Sequence, residues 1–178
     1  MSEPLGLESG EVRVVEYDDR WPSLFTAEAQ RLRDACGTLP VALDHVGSTA
    51  VPGLCAKPVL DILAGHSPDT PAASYVRPFR RAGYEDRGDR GIAGHQFFRR
   101  GQPRAYHIHL VQQGGALWRE YLAFRDVLRS DLDAKRQYTE LKWALAGQFP
   151  RDRERYIEGK ATFVRTILTR VSGADASQ

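Results

Sequence analysis

Apolar positions follow a strand-like rhythm through the first two thirds of the chain and a helical rhythm through the last third. Val12 to Tyr17 reads as a short strand. A helix opens at Trp21-Pro22-Ser23 and runs to about Ala35, with Phe25, Ala29, Leu32 and Cys36 as its apolar stripe. Val41 to Val46 predicts a strand, Gly47-Ser48-Thr49 a tight turn, and Pro58 to Leu63 a second, interior strand. Pro71 to Gly83 suits a helix stopped by Ala82-Gly83, and Gly83 to Gly94 a hairpin or loop. Gln96 to Arg100 and Ala105 to Gln112 read as two further strands around a Gly-Gln-Pro turn. Helical periodicity then takes over in Gly115 to Leu128, Asp131 to Phe149 and Asp152 to Val171. Tyr138, Leu141 and Leu145 form one stripe, and Ile157, Ala161, Val164 and Leu168 another. Strands first and helices last predict an α+β fold: a mixed sheet, a helical layer and a C-terminal helical hairpin. Residues 1–10 and 172–178 read as polar, disordered tails around a single domain at 11–171.

Composition narrows the partners. With 25 basic against 23 acidic side chains the formal net charge is only +2, so a surface built to coat extended nucleic acid is not expected. The positive charge is nevertheless uneven. Arg77, Arg80, Arg81, Arg87, Arg90, Arg99, Arg100 and Arg104 crowd the middle third, either as a solvated surface or as an attractor of a phosphorylated or carboxylated small molecule. No apolar run approaches the roughly eighteen residues that a membrane helix needs. The two cysteines, Cys36 and Cys55, have neither metal-binding spacing nor the density of a disulfide framework. The acidic opening MSEPLGLESGEV lacks the apolar core of a secretory leader, so a cytoplasmic location is expected. Cys55 reads as a small packed thiol. Nothing in the pattern speaks to the oligomeric state.

Two features carry chemistry. Ser48, in the Gly-Ser turn, stands thirteen positions before Asp61, a carboxylate set inside an apolar strand where a charge needs a hydrogen-bonding, cationic or metal partner. The turn presents backbone amides and the Ser48 and Thr49 hydroxyls to an anion; the alternative is a tight turn in which Gly47 and Gly53 serve backbone conformation alone. The second feature is His107-Ile108-His109. Side chains two apart on a strand share a face, so both imidazoles point together while Tyr106, Ile108 and Leu110 take the other side. Such a pair can ligate a metal, bind phosphate or carboxylate through its rings, or make structural hydrogen bonds. His45 is read as a satisfied sheet histidine, and His66 and His95 as peripheral. Lys57 precedes the Asp61 strand, while Lys142 and Lys160 lie on the last two helices, either solvated or reaching toward a phosphate. Gly159, costly inside a helix by about 1 kcal/mol, points to close packing or ligand approach beside Lys160, and Tyr156 one turn earlier to a pocket wall or the core.

The string HVGSTAVPGL followed by KPVLDI resembles the signature of the GrpB family, as do YHIHLV (106–111), FRDVLR (124–129), YTELKWALA (138–146) and YIEGKATFVRTIL (156–168). The resemblance covers about Val12 to Val171. It implies a nucleotidyltransferase-type mixed sheet of the polymerase-beta kind with flanking helices, and relatives that include a domain fused behind dephospho-coenzyme A kinases. It also implies that the His107 strand lies beside the Asp61 strand, so that Asp61, His107 and His109 converge. That trio suits a divalent metal, Zn²⁺, Mn²⁺ or Fe²⁺ rather than Mg²⁺. Active nucleotidyltransferases usually carry a second carboxylate two residues after the first and a third on a neighbouring strand. Here Leu63 holds the second place and histidines stand near the third, leaving too few hard oxygens for a two-Mg²⁺ phosphoryl transfer. The expected protein binds a small anionic ligand, a nucleotide or phosphorylated or carboxylated metabolite. If it is a metal-dependent transferase, Asp61, His107 and His109 hold the metal, Gly47-Ser48-Thr49 positions the anion, Lys57, Lys142 and Tyr156 line the ligand, and Lys160 neutralises developing charge. A non-catalytic accessory module and a metal-dependent hydrolase or oxygenase using the same trio stay open.

Overall fold

A computed structural model describes residues 4–175. Five strands form one mixed sheet: β1 (Ala42–Val46), β2 (Leu60–His66), β3 (Glu85–Asp86), β4 (His95–Arg100) and β5 (Tyr106–Gln112), in the spatial order β1-β2-β5-β4-β3. The β2–β5 pair is parallel and every other pair antiparallel. The sheet alternates strictly. Ile62 and Ala64 of β2, with Ile108 and Leu110 of β5, face α1 (Trp21–Cys36) and α2 (Val76–Arg81), closing a core with Leu32, Tyr75, Phe79 and Phe98. The opposite face carries Asp61 and Leu63 beside His107 and His109, which are direct register partners. Over this face lie α3 (Ala116–Ser130), α4 (Leu132–Gln148) and α5 (Arg153–Asp175).

The three late helices pack on one another, so the expected hairpin of α4 and α5 is completed by α3 into a layer. Asp131 ends α3 and caps α4, accepting from the Ala134 amide at 2.9 Å, and its other oxygen takes Arg170 of α5 at 2.8 Å. Gly159 is explained by this packing. A Cβ there would stand 2.5 Å from Leu145 Cδ2, so glycine lets α5 close on α4.

Several expectations need correction. The N-terminal segment is not a free tail over all of 1–10. Leu7 is buried, bridges Arg104, and is preceded by a Gly6 amide bonded to the Pro58 carbonyl at 2.7 Å. Two apolar residues, Leu5 and Leu7, suffice to dock it but form no periodic pattern. Residues 1–3 and 176–178 lie outside the described residues, and α5 continues through Asp175 over part of the expected C-terminal tail. Val12 to Tyr17 makes only an isolated bridge, Val15 to Ala56, and the Pro71–Gly83 helix opens as a 3-10 turn at Ala72–Tyr75 before α2. Among the described residues no helix is long and apolar enough to cross a membrane.

Candidate functional site

All ten sequence-predicted site residues line one cavity of about 300 Å³ between the sheet and the C-terminal helices. Asp61 is its centre, with 30% of its side chain still exposed toward the opening. The β2–β5 register sets Asp61 opposite His107, and the pleat brings His109 to the same side. Asp61 Oδ1 lies 3.0 Å from His107 Nδ1 and 3.3 Å from His109 Nε2. One ligand atom from each residue of this trio falls within 4.8 Å of the others. Burial works against the Asp61 charge, but the hydrogen bonds from His107 and His109 outweigh it and hold the carboxyl well below its usual range. Burial also pushes His107 down to about 4, against the pull of Asp61, so its imidazole is neutral near pH 7.

The protons of the trio can be placed. The Asp89 carbonyl only accepts, so His95 Nδ1, 3.2 Å away, carries a proton, and burial keeps His95 neutral. His95 Nε2 therefore accepts from His109 Nδ1–H at 3.1 Å, a nitrogen that also meets the Tyr121 hydroxyl at 2.9 Å. His109 Nε2 is thereby turned to Asp61, and the contact requires a proton or a shared cation between them. His107 is different. Its Nδ1–H serves Asp61, while its buried Nε2 has no partner among the described residues. His95 is thus no peripheral residue, as sequence reading had it, but the orienting partner of His109.

The turn that starts the site is held open for Asp61. Gly47 has φ 71° and ψ −172°, a region only glycine adopts readily, and a Cβ there would stand 2.6 Å from Asp61 Oδ2. We expect Gly47→Ala to lose about 2–4 kcal/mol in chemical denaturation. Wild-type stability in that variant would show that the backbone and carboxylate are not so disposed. Thr49 lines the cavity, yet its hydroxyl is engaged with His45 Nε2 at 3.0 Å. His45 stacks on Phe25 and is pushed down to about 4 by burial, consistent with a satisfied sheet histidine. Ser48 remains turned to Tyr138, which is kept protonated chiefly by burial.

Cations supply the remaining wall. Lys57 and Lys160 flank the Tyr156 ring, 5.2 and 4.4 Å from its centroid. Lys142 is fully buried, donating to the Cys55 carbonyl and lying 4.8 Å from the Tyr138 centroid. Burial lowers Lys57 and Lys142 to about 7 and Lys160 to about 8, with neighbouring cations adding to the effect. Arg153 joins them. Sequence reading missed Arg153, Tyr121, Tyr138 and Phe97, although Arg153, Tyr156 and Lys160 share one face of α5 at spacings of three and four, a signal that could have found the first from the other two. Leu63, in the place of a second carboxylate, is fully buried with Val46, Val111 and Trp118, so the hydrophobic core occupies the position a second metal ligand would need.

Sheet order, flanking helices and the placing of Asp61 on an interior strand define a nucleotidyltransferase-like α+β domain. The crystal structure of the Cid1 poly(U) polymerase shares this fold at a TM-score of 0.50 and 12% identity, covering 74% of this chain and 44% of that one. The family model described as GrpB protein matches residues 11–170, and the chain belongs to that family. The crystal structure of conserved protein GrpB from Enterococcus faecalis matches with a TM-score of 0.81 and 32% identity, over 89% of this chain and 96% of that one. Among curated relatives, UPF0157 protein PA4798 of Pseudomonas aeruginosa is 39% identical over 168 residues, 92% of this chain and 69% of that protein. UPF0157 protein YqkA of Bacillus subtilis is 33% identical over 156 residues, 87% of this chain; the chain spans about half the length of that relative, 46%.

Proposed function

We propose that this domain binds a small phosphorylated or carboxylated anion, a nucleotide or phosphorylated metabolite, in the cavity beside a transition-metal ion held by Asp61, His107 and His109. One observation carries the reading: Lys57, Lys142, Lys160 and Arg153 converge on a cavity whose lining has Asp61 as its one acidic residue among the described residues. Four cations around one carboxylate leave a charge that an anion offsets. The metal reading rests on the donor set. Two imidazoles and one carboxylate suit Zn²⁺, Mn²⁺ or Fe²⁺, whereas Mg²⁺ prefers several hard oxygens, and Leu63 supplies none. His109 fits well, since His95 takes its Nδ1 proton. His107 would have to move its proton to an Nε2 without an acceptor, and lack of an outer partner costs about 10–100-fold in affinity, so the ion should be exchangeable. The ion would supply Lewis-acid polarisation of a bound anion.

Sulfate, whose charge is constant across the relevant pH range, tests the anion site. At about a hundred times its dissociation constant it should add roughly 2.7 kcal/mol of stability, read as a rise in melting temperature. Lys57, Lys142 and Lys160 have native pKa values far below the free-lysine value, and a bound anion favours their ammonium forms. Affinity should therefore be greatest below about pH 7 and fall by about an order of magnitude by about pH 9. Lys160→Met should weaken binding without unfolding the protein. A melting curve indifferent to sulfate and to a panel of nucleotides would sink the reading.

A further inference from the structure

The cations of the cavity wall are held differently from those elsewhere in the fold. Arg87 and Arg99 bond Glu85 at 2.6 and 2.7 Å, and Arg100 bonds Glu28 at 2.6 Å. Lys57 and Lys160 make no ion pair or hydrogen bond among the described residues. Each lies instead against the ring of Tyr156, 5.2 and 4.4 Å from its centroid. Tyr156 belongs to α5, is 1% exposed and lines the cavity. Packing with Val12, Val14, Cys55 and Leu145 fixes its ring, so a rigid plate positions two flexible side chains.

The hydroxyl of Tyr156 is the unexplained atom. A buried tyrosine hydroxyl usually finds a partner: that of Tyr84 reaches Glu28 at 2.7 Å, and that of Tyr75 donates to the Pro40 carbonyl. The Tyr156 hydroxyl makes no hydrogen bond among the described residues. Nor is it sealed in, since the enclosed side-chain atoms that lack a partner belong to Arg100, Arg104, His107 and Arg153. The hydroxyl therefore keeps access, and the space Tyr156 borders is the cavity. Burial raises its ionisation above the ordinary phenol range, with Tyr138 and Cys55 adding to the effect, so it stays a donor.

We propose that Tyr156 makes the lysine wall a phosphoryl site: its ring holds Lys57 and Lys160, and its hydroxyl donates to the anion that these two ammonium groups bind. Three donors then face one group. A tetrahedral phosphoryl or sulfate group offers three oxygens on one side, whereas a carboxylate offers two, which the lysines alone would satisfy. The ligand class narrows to a phosphorylated metabolite rather than a carboxylate. This deepens the proposed function and rests on its anion site.

Calorimetric titration of the metal-stripped full chain with sulfate and with acetate tests it, together with the melting temperature of the anion-free protein. Tyr156→Phe keeps the ring and both lysines but lacks the donor. Its sulfate affinity should fall by about tenfold while its acetate affinity changes by less than about twofold. Without anion it should melt at or above the wild-type temperature, because a hydroxyl with no protein partner stabilises nothing in the empty cavity. Lys160→Met should weaken both anions. Unchanged sulfate affinity in Tyr156→Phe, an equal loss of both anions, or a clearly lower anion-free melting temperature would overturn the role of Tyr156 while leaving the anion cavity standing. Binding of neither anion by the wild type would remove both.

Discussion

Replacing Glu28 by alanine should cost about 3–5 kcal/mol of folding stability, among the largest single-residue effects in the domain. Glu28 sits on α1 with 4% of its surface exposed, and its carboxylate holds three partners, one a turn further along α1 and two from distant parts of the chain. Oε1 accepts from Arg31 at 2.5 Å and from the Tyr84 hydroxyl at 2.7 Å, and Oε2 accepts from Arg100 at 2.6 Å. Arg100 in turn stacks over Tyr106, 4.4 Å from the ring centroid. Removing the carboxylate strands a part-buried guanidinium and a phenol hydroxyl, which is why breaking such a pair costs more than the pair itself contributes. Glu28→Gln keeps one acceptor and should fall between wild type and alanine. Urea denaturation with an unchanged m-value measures the difference, and a loss below about 1 kcal/mol for the alanine variant would show that water reaches these groups.

Asp61→Asn, His107→Ala and His109→Ala should each reduce Zn²⁺ or Mn²⁺ affinity by about a hundredfold or more, beyond the effect of an outer-partner change. His95→Phe should act more weakly, by about tenfold, because it only frees the His109 tautomer. Mg²⁺ should bind poorly to the wild type. All three side chains line the cavity and none belongs to a hydrophobic cluster, so the loss should appear without unfolding. Tight Mg²⁺ binding that survives both histidine substitutions would restore a carboxylate-based nucleotidyltransferase mechanism and discard this one.

Much of this arrangement was legible from local patterns. The two-residue strand period placed His107 and His109 on one face and Ile108 on the other, and the helical stripes located the late helices within a few residues. The adjacency of Asp61 and His107 came from family resemblance, because strand order is not written in any local period. What escaped sequence reading depends on long-range contact. Glu28 lies in an otherwise apolar helix face, and its partners Tyr84 and Arg100 are 56 and 72 residues away. His95 looked peripheral because its value lies in meeting His109 across the β4–β5 pair. Leu5 and Leu7 are isolated apolar residues in a polar segment, which docks where Arg104 and Pro58 offer backbone partners to Leu7 and Gly6. Gly159 announced a close approach, but only the packed helices show that Leu145, and not a ligand, makes it.

The central claim is that Asp61, His107 and His109 form one site with the cationic cavity wall, holding metal and anion together. Anomalous diffraction from crystals grown with Zn²⁺ and sulfate addresses it directly. The account predicts a zinc peak about 2.0–2.2 Å from Asp61 Oδ1, His107 Nδ1 and His109 Nε2, with a sulfate in the same cavity against Lys160 and Arg153. Zinc bound elsewhere, with the trio still joined only by its own hydrogen bonds and the sulfate outside the cavity, would contradict it.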